Sequence, residues 1–220
     1  MAIRSAPNKP NASKLQELAD YSGDPWNPAN SYFEHAENFM ASIWEELLEP
    51  FLEPVDFTTT VDLAAGHGRN SEYLKKWATE VYILDIQEGN VDRCMERFAG
   101  DGRFRYATNN GYDLRPVRDQ WATLIYCFDA MVHFDSDVVR SYLRDSLRVL
   151  KPGGYGFFHH SNYQGGFDWR TNPSSRNFMS KEFFAHYVDK EGLEVVRQDV
   201  LSWGGEVDLD CLTLVRRPAA

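Results

Sequence analysis

Val61-Asp62-Leu63-Ala64-Ala65-Gly66-His67-Gly68-Arg69-Asn70 is the stretch from which the fold is read. It opens behind Thr58-Thr59-Thr60 with the aliphatic residues of a buried parallel strand, then breaks into small residues and glycines. A helix-compatible run, 70–77, follows at once. Strand, glycine turn and helix N-terminus in that order let backbone N–H groups meet the anionic or polar part of a ligand. The next apolar strand, Val81 to Leu84, ends at Asp85. An acid about 20 residues past such a turn is placed to hold a ribose diol, with Ile86 beside it. The ligand expected is a nucleoside-containing cofactor. A dinucleotide turn wants a third glycine or alanine for tight helix–strand packing, and here that position is Ser71.

Outward from this turn, apolar strands and amphipathic helices alternate. A helix is expected over 91–98, stopped by Gly100 and Gly102, then a strand over 103–108 ending in Asn109-Asn110-Gly111. A fourth strand spans 122–127 and ends at Phe128 and Asp129. The helix after it runs out at Pro152-Gly153-Gly154. A fifth strand, 155–159, is followed by the irregular segment 162–180 and a helix capped by Ser180. Two strands, 193–203 and 209–215, close the chain as a hairpin. Before the turn, Phe33, Phe39, Met40, Ile43, Trp44, Leu47 and Leu48 recur at helical spacing. They predict one helix from Ser31, as N-cap, to Leu52, ended by Pro50 and Pro54.

Length and composition set limits. The 220 residues suffice for one domain with a sizeable core. The expected organisation is a mobile N-terminal arm over 1–30, whose Trp26 folds over the site, and a single domain over 31–220. A net charge of −10 argues against a nucleic-acid backbone as substrate. No apolar run is long enough for a membrane span, and no secretory signal is visible. Cys94, Cys127 and Cys211 read as buried free thiols of a cytoplasmic protein.

The turn resembles motif I of the class I S-adenosylmethionine-dependent methyltransferases. Asp62, Gly66 and Gly68 match it, Arg69-Asn70 is a common continuation, and Ala64 replaces the usual first glycine, which is tolerable at negative φ. Leu147 to Gly154 is similar to the helix and turn before that family's fifth strand. The resemblance implies an α/β fold: a Rossmann-like, seven-stranded, mostly parallel sheet with a C-terminal antiparallel hairpin and helices on both faces. It also implies S-adenosylmethionine bound by Asp62, Ala64, Gly66, Gly68, Asn70, Asp85 and Ile86. Asn110 and Gly111 would meet the adenine, and Phe128 the methionine part.

S-adenosylmethionine supplies the electrophile, so the protein must align the acceptor and remove a hydroxyl's proton. His160, His133 and His159 are candidate bases at the carboxyl ends of strands four and five, with Asp129 beside them. Strand alternation sends His159 and His160 to opposite faces. Asp129 and Asp168 are alternatively hard ligands for Mg²⁺. The 162–180 segment is the expected substrate loop: Tyr163, Phe167 and Trp169 offer flat faces, and Arg170, Arg176 and Asn177 offer donors. That mixture suits a saccharide, and the segment resembles that of small bacterial sugar O-methyltransferases. The expected activity is O-methylation of a small polyhydroxylated molecule. N- or phenol O-methylation of an aromatic metabolite, in a dry pocket, and a cofactor-binding module without turnover stay open.

Overall fold

The computed structural model describes residues 12–165 and 168–219. Met1–Asn11 of the arm and Phe167 of the loop lie outside them. Seven strands, β1 (Thr59–Leu63), β2 (Glu80–Asp85), β3 (Phe104–Thr108), β4 (Ala122–Cys127), β5 (Leu150–Ser161), β6 (Glu194–Trp203) and β7 (Glu206–Arg216), form one sheet ordered β3-β2-β1-β4-β5-β7-β6. Neighbours among β1 to β5 are parallel, whereas β7 runs antiparallel between β5 and β6. The order reverses direction at β1 and β4. Ligands of open α/β sheets bind at the carboxyl edge of such a switch point.

The helices are α1 (Ala12–Gly23), α2 (Tyr32–Glu37), α3 (Met40–Ile43), α4 (Glu49–Phe51), α5 (Ser71–Leu74), α6 (Glu88–Arg97), α7 (Ser136–Val149) and α8 (Lys181–Lys190). Strand alternation divides their packing between the two faces of the sheet. Phe158 and Ile125 meet α1, α7 and α8, while Phe157 and Tyr126 meet Met40, Trp44, Leu48 and Leu74 on the other side. All three cysteines are buried free thiols. Among the described residues, no helix is long and apolar enough to cross a membrane.

The single helix expected over 31–52 is instead a broken run. It turns at Asn38–Phe39, and Trp44–Leu48 widens into a π-helical segment just before Pro50. Pro50 has no N–H to donate, and its ring would meet the carbonyl four residues back. A wider turn relieves both problems. Phe39 consequently leaves the apolar stripe and is exposed. The capping residue also differs: the Asn30 side-chain oxygen accepts from Tyr32 N (2.9 Å), and Ser31 makes no cap.

Residues 12–30 pack back onto the domain. Leu15 and Ala19 of α1 are buried in the core. Gln16 donates to the Asn110 carbonyl (3.0 Å), and Gln87 donates to the Gly23 carbonyl (3.1 Å).

Candidate active site

A cavity, part of about 810 Å³ of empty space that also takes in open solvent, opens at the carboxyl edge of β1, β2 and β4 and is roofed by α1 and α2. The glycine turn forms its floor, with Ala64, Gly66 and Asn70 on the wall; Asp85, Ile86 and Gly111 line one end, and Phe128 and Asp129 the other. Trp26 reaches the cavity from the arm. The fold brings these candidate residues together around one cavity. Asp62 and Gly68 are absent from the wall. Asp62 lies beneath the turn, fully buried, where it accepts from the Ser71 hydroxyl at 2.6 Å. Burial pushes its pKa up to about 7, against the lowering effect of that hydroxyl and of Arg69. The serine that departs from a dinucleotide turn therefore serves as partner to a buried acid. Gly68 lets α6 approach, since a Cβ there would fall 2.8 Å from Phe98.

Ala64 overturns the expectation of a negative φ: it stands at +56°. Asp129, at the end of β4, stands at +60°. Two non-glycine residues in the left-handed region thus line the same cavity, at the ends of adjacent central strands. Such strain persists where the surrounding structure enforces it, often at functional sites. Left-handed alanine costs about 1–2 kcal/mol, and glycine adds back roughly 0.5–1 kcal/mol of chain entropy. Ala64→Gly is accordingly expected to stabilise the fold by about 0.5–1 kcal/mol in denaturant unfolding; a loss of stability would show that alanine is unstrained here.

At the Asp129 end, Oδ2 accepts from Arg69 Nη2 (2.6 Å) and from the Tyr32 hydroxyl, which makes a short hydrogen bond. Among the described residues nothing bonds Oδ1. Burial and then the Asp129 charge raise Tyr32's pKa well above that of a free phenol, so the hydroxyl stays protonated. Burial disfavours Arg69's charge, but Asp129 and Tyr32 outweigh it and the guanidinium's pKa is raised. Phe33, on the same helix as Tyr32, stacks on His67 at 4.0 Å between ring centroids, and a Cβ on Gly66 would come within 2.5 Å of its ring. Helix α2 therefore presses its aromatic side chains directly onto the glycine turn.

None of the three candidate histidines lines this cavity. His159 Nδ1 accepts from the Asp129 backbone N–H (3.1 Å), and Nε2 donates to Asp210 (3.2 Å), which Arg176 grips with two further bonds. Both ring nitrogens are occupied, and the histidine's work is to hold the left-handed Asp129. His160 lies on the opposite face, stacked on Phe184 at 3.9 Å and bonded to the Ser161 carbonyl and the Thr213 hydroxyl. Burial pulls its pKa down to about 3. His133 donates from Nδ1 to the Ser175 carbonyl, lies tilted against the Trp26 ring at 4.8 Å between centroids, and burial lowers its pKa to about 4.

An imidazole held neutral in the fold but free to protonate near pH 6.5 when unfolded gives stability that is complete above 6.5. That stability is lost as pH falls toward the folded pKa. For His160 the loss should be on the order of 3–5 kcal/mol between pH 6.5 and 3. His160→Asn should flatten the acid limb of an unfolding-midpoint series. An unchanged slope would acquit His160.

The substrate and metal expectations are also corrected. Tyr163, Trp169, Arg170, Arg176 and Asn177 do not line this cavity. Arg176 is spent on Asp210, the Trp169 ring lies under Arg170, and Trp169 and Asn177 border a separate small pocket beside His133. The Asn110 amide oxygen accepts from Tyr112 N and Asp113 N, so it closes its own turn; Asn109 takes the place on the wall. Asp129 Oδ2 is committed to Arg69 and Tyr32, and Asp168 sits off the cavity in a short 3₁₀ turn. No group of three metal-ligating side chains forms among the described residues, and this donor set does not fit Mg²⁺.

Sequence reasoning gave no site role to Phe33, His67, Asn90 and Asn109, all on the wall. Only Arg69-Asn70, already in the motif, signalled that polar groups beyond the glycines would matter.

Residues 61–158 match the family model described as a methyltransferase domain. No curated protein gives a significant match. Solved structures with the same fold include a chain from the complex between the Haloferax volcanii Trm112 methyltransferase activator and the putative methyltransferase. That chain is 17% identical with a TM-score of 0.66, covering 92% of this chain and 98% of that one. An S-adenosylmethionine-dependent methyltransferase from Mesorhizobium loti is 17% identical (TM-score 0.64; 79% and 99% covered). The geranyl diphosphate C-methyltransferase of Streptomyces coelicolor A3(2) is 15% identical (TM-score 0.66; 94% and 100% covered). Residues 61–158 are thus similar to a methyltransferase domain, and the solved methyltransferase structures share the seven-stranded fold of the chain. The residues present suit S-adenosylmethionine: a left-handed turn opens onto the cavity, with a buried acid at one end and an unpartnered amide oxygen, that of Asn90, beside it.

Proposed function

We propose that the chain methylates a hydroxyl or amine of a small, flat acceptor held against Asp129. The observation that carries this reading is the Tyr32–Asp129–Arg69 cluster on the cavity wall, with Asp129 Oδ1 unbonded among the described residues. When bound, S-adenosylmethionine supplies an electrophilic methyl. The chain's own task is to orient the acceptor and receive its proton. Asp129 Oδ1 takes the hydrogen bond from the acceptor and then its proton, while Arg69 and the protonated Tyr32 hold Oδ2 in place. Trp26, Tyr32, Phe33 and Phe128 give this end aromatic walls, and closely packed walls keep water from the acceptor.

The saccharide reading rested on the 162–180 loop, whose guanidinium and amide groups are engaged elsewhere. The aromatic lining favours the alternative of an aromatic acceptor. S-adenosylhomocysteine formation against phenols, arylamines, free sugars and short oligosaccharides tests the choice, each with Mg²⁺ and with EDTA. Turnover on an aromatic acceptor, indifferent to EDTA, is expected. Turnover confined to saccharides would restore the polyhydroxylated substrate and overturn this reading.

A further inference from the structure

Asn90, in the first turn of α6, is 1% exposed and lines the cofactor end of the cavity. Its amide nitrogen donates to the Trp26 carbonyl (2.9 Å) and to Asp85 Oδ1 (3.2 Å). Two acceptors for two hydrogens fix which end of the amide is which. Oδ1 is therefore directed away from both, and it has no hydrogen-bond partner. His67 Nε2 also lacks a partner within normal hydrogen-bond geometry, although the Asn90 side chain is close enough to raise the imidazole's pKa against the lowering by burial. A buried carbonyl without a donor is costly, and such a group calls for an explanation. Asp85, next to it, already receives Gly66 N, Gln87 N and the Asn90 amide. A diol arriving here has two hydroxyl protons to place and finds one acceptor on Asp85 and a second on Asn90.

We propose that Asn90 is a ribose-binding residue and at the same time the latch of the N-terminal arm. Oδ1 accepts a hydroxyl of the cofactor's ribose, and Nδ2 holds the Trp26 carbonyl, so a ribose that fixes the amide also fixes the arm. The arm's other ties run to the same region: Gln87 to the Gly23 carbonyl, Gln16 to the Asn110 carbonyl, and Ile86 against Gly23. Coupling of this kind is reciprocal, so an arm held down tightens the cofactor as the cofactor orders the arm. The proposal rests on S-adenosylmethionine being the cofactor.

Calorimetry on the full chain tests it with no acceptor needed. S-adenosylhomocysteine, 5′-methylthioadenosine and the 2′,3′-dideoxy form of the latter are titrated into the wild type and Asn90→Ala. The variant should lose roughly 10–30-fold in affinity for the two ligands that carry the diol, and almost nothing for the dideoxy form. Hydrogen exchange over residues 12–26 should slow on adding S-adenosylhomocysteine to the wild type and not to the variant. Should the alanine variant fail to fold, Asn90→Gln, which keeps the amide but moves it by one methylene, carries the same comparison. Equal loss for ligands with and without hydroxyls, or no loss, would overturn the ribose contact. Arm exchange unaffected in the wild type would overturn the latch. A wild type that binds none of the three nucleosides would remove the cofactor reading itself, before any variant is compared.

Discussion

Asp129→Asn is expected to cut methyl transfer by roughly 10²–10³-fold while leaving S-adenosylhomocysteine affinity within about threefold. The substitution keeps the shape of the side chain and still offers one oxygen, but an amide cannot receive the acceptor's proton. A second effect should accompany the first. Arg69 is nearly buried and its nearest carboxylate is Asp129, at 2.6 Å. Neutralising that partner leaves a guanidinium poorly compensated in a site with little water, at a cost on the order of 3–5 kcal/mol. Lower activity could then reflect a loosened fold. The double variant Asp129→Asn/Arg69→Met separates the two, because it removes the stranded charge. Unfolding midpoints should recover much of the way toward wild type, and turnover on the best acceptor should not. Turnover within threefold of wild type in the single variant would remove Asp129 as the base.

The difference between what the sequence revealed and what it hid follows the range of the interactions. The β1 turn, the alternation of strands and helices, and the closing hairpin are written in runs of adjacent residues, so periodicity and glycine placement disclose them. The seven-stranded order then follows from a resemblance carried by a few such runs. The role of each histidine depends instead on partners far along the chain. His159 is occupied by Asp210, 51 residues on, and by the backbone of Asp129, 30 residues back. Alternation rightly separated His159 from His160, yet it could not say that one supports the Asp129 turn and the other packs flat on Phe184 of α8. Tyr32 shows the same limit from the other side. Its place at the start of a helix was legible, whereas the meeting of its hydroxyl with a carboxylate 97 residues away was not. Arg176 and Asn177 looked like donors free for a sugar because unpaired polar residues in a loop give no sign of the buried acid that claims one of them. Ala64 is the remaining case: only the backbone shows that a residue with a Cβ accepts the conformation glycine would normally supply.

Asp85→Ala should have the largest effect on cofactor binding, lowering S-adenosylhomocysteine affinity by roughly 10–150-fold, that is about 1.5–3 kcal/mol. The carboxylate does two things at once. Oδ2 accepts from Gly66 N at 2.9 Å and so ties the glycine turn to the end of β2; Oδ1 accepts from Gln87 N at 2.8 Å and from the Asn90 amide at 3.2 Å, and so shapes the entry to α6. Alanine would strand three donors at a site only 5% exposed. A fall in unfolding free energy of about 2–4 kcal/mol is therefore expected alongside the lost affinity. These two losses need separating, since a collapsed turn would bind poorly whether or not Asp85 touches the ligand. The diol provides the means. If the carboxylate accepts a ribose hydroxyl, the variant should lose its preference for 5′-methylthioadenosine over the 2′,3′-dideoxy form at temperatures where it remains folded. If Asp85 only builds the turn, both ligands should weaken together and the preference should survive. A folded variant with unchanged affinity for either ligand would take Asp85 out of the site, and the ribose would then have to be held from the Asn90 side of the cavity alone.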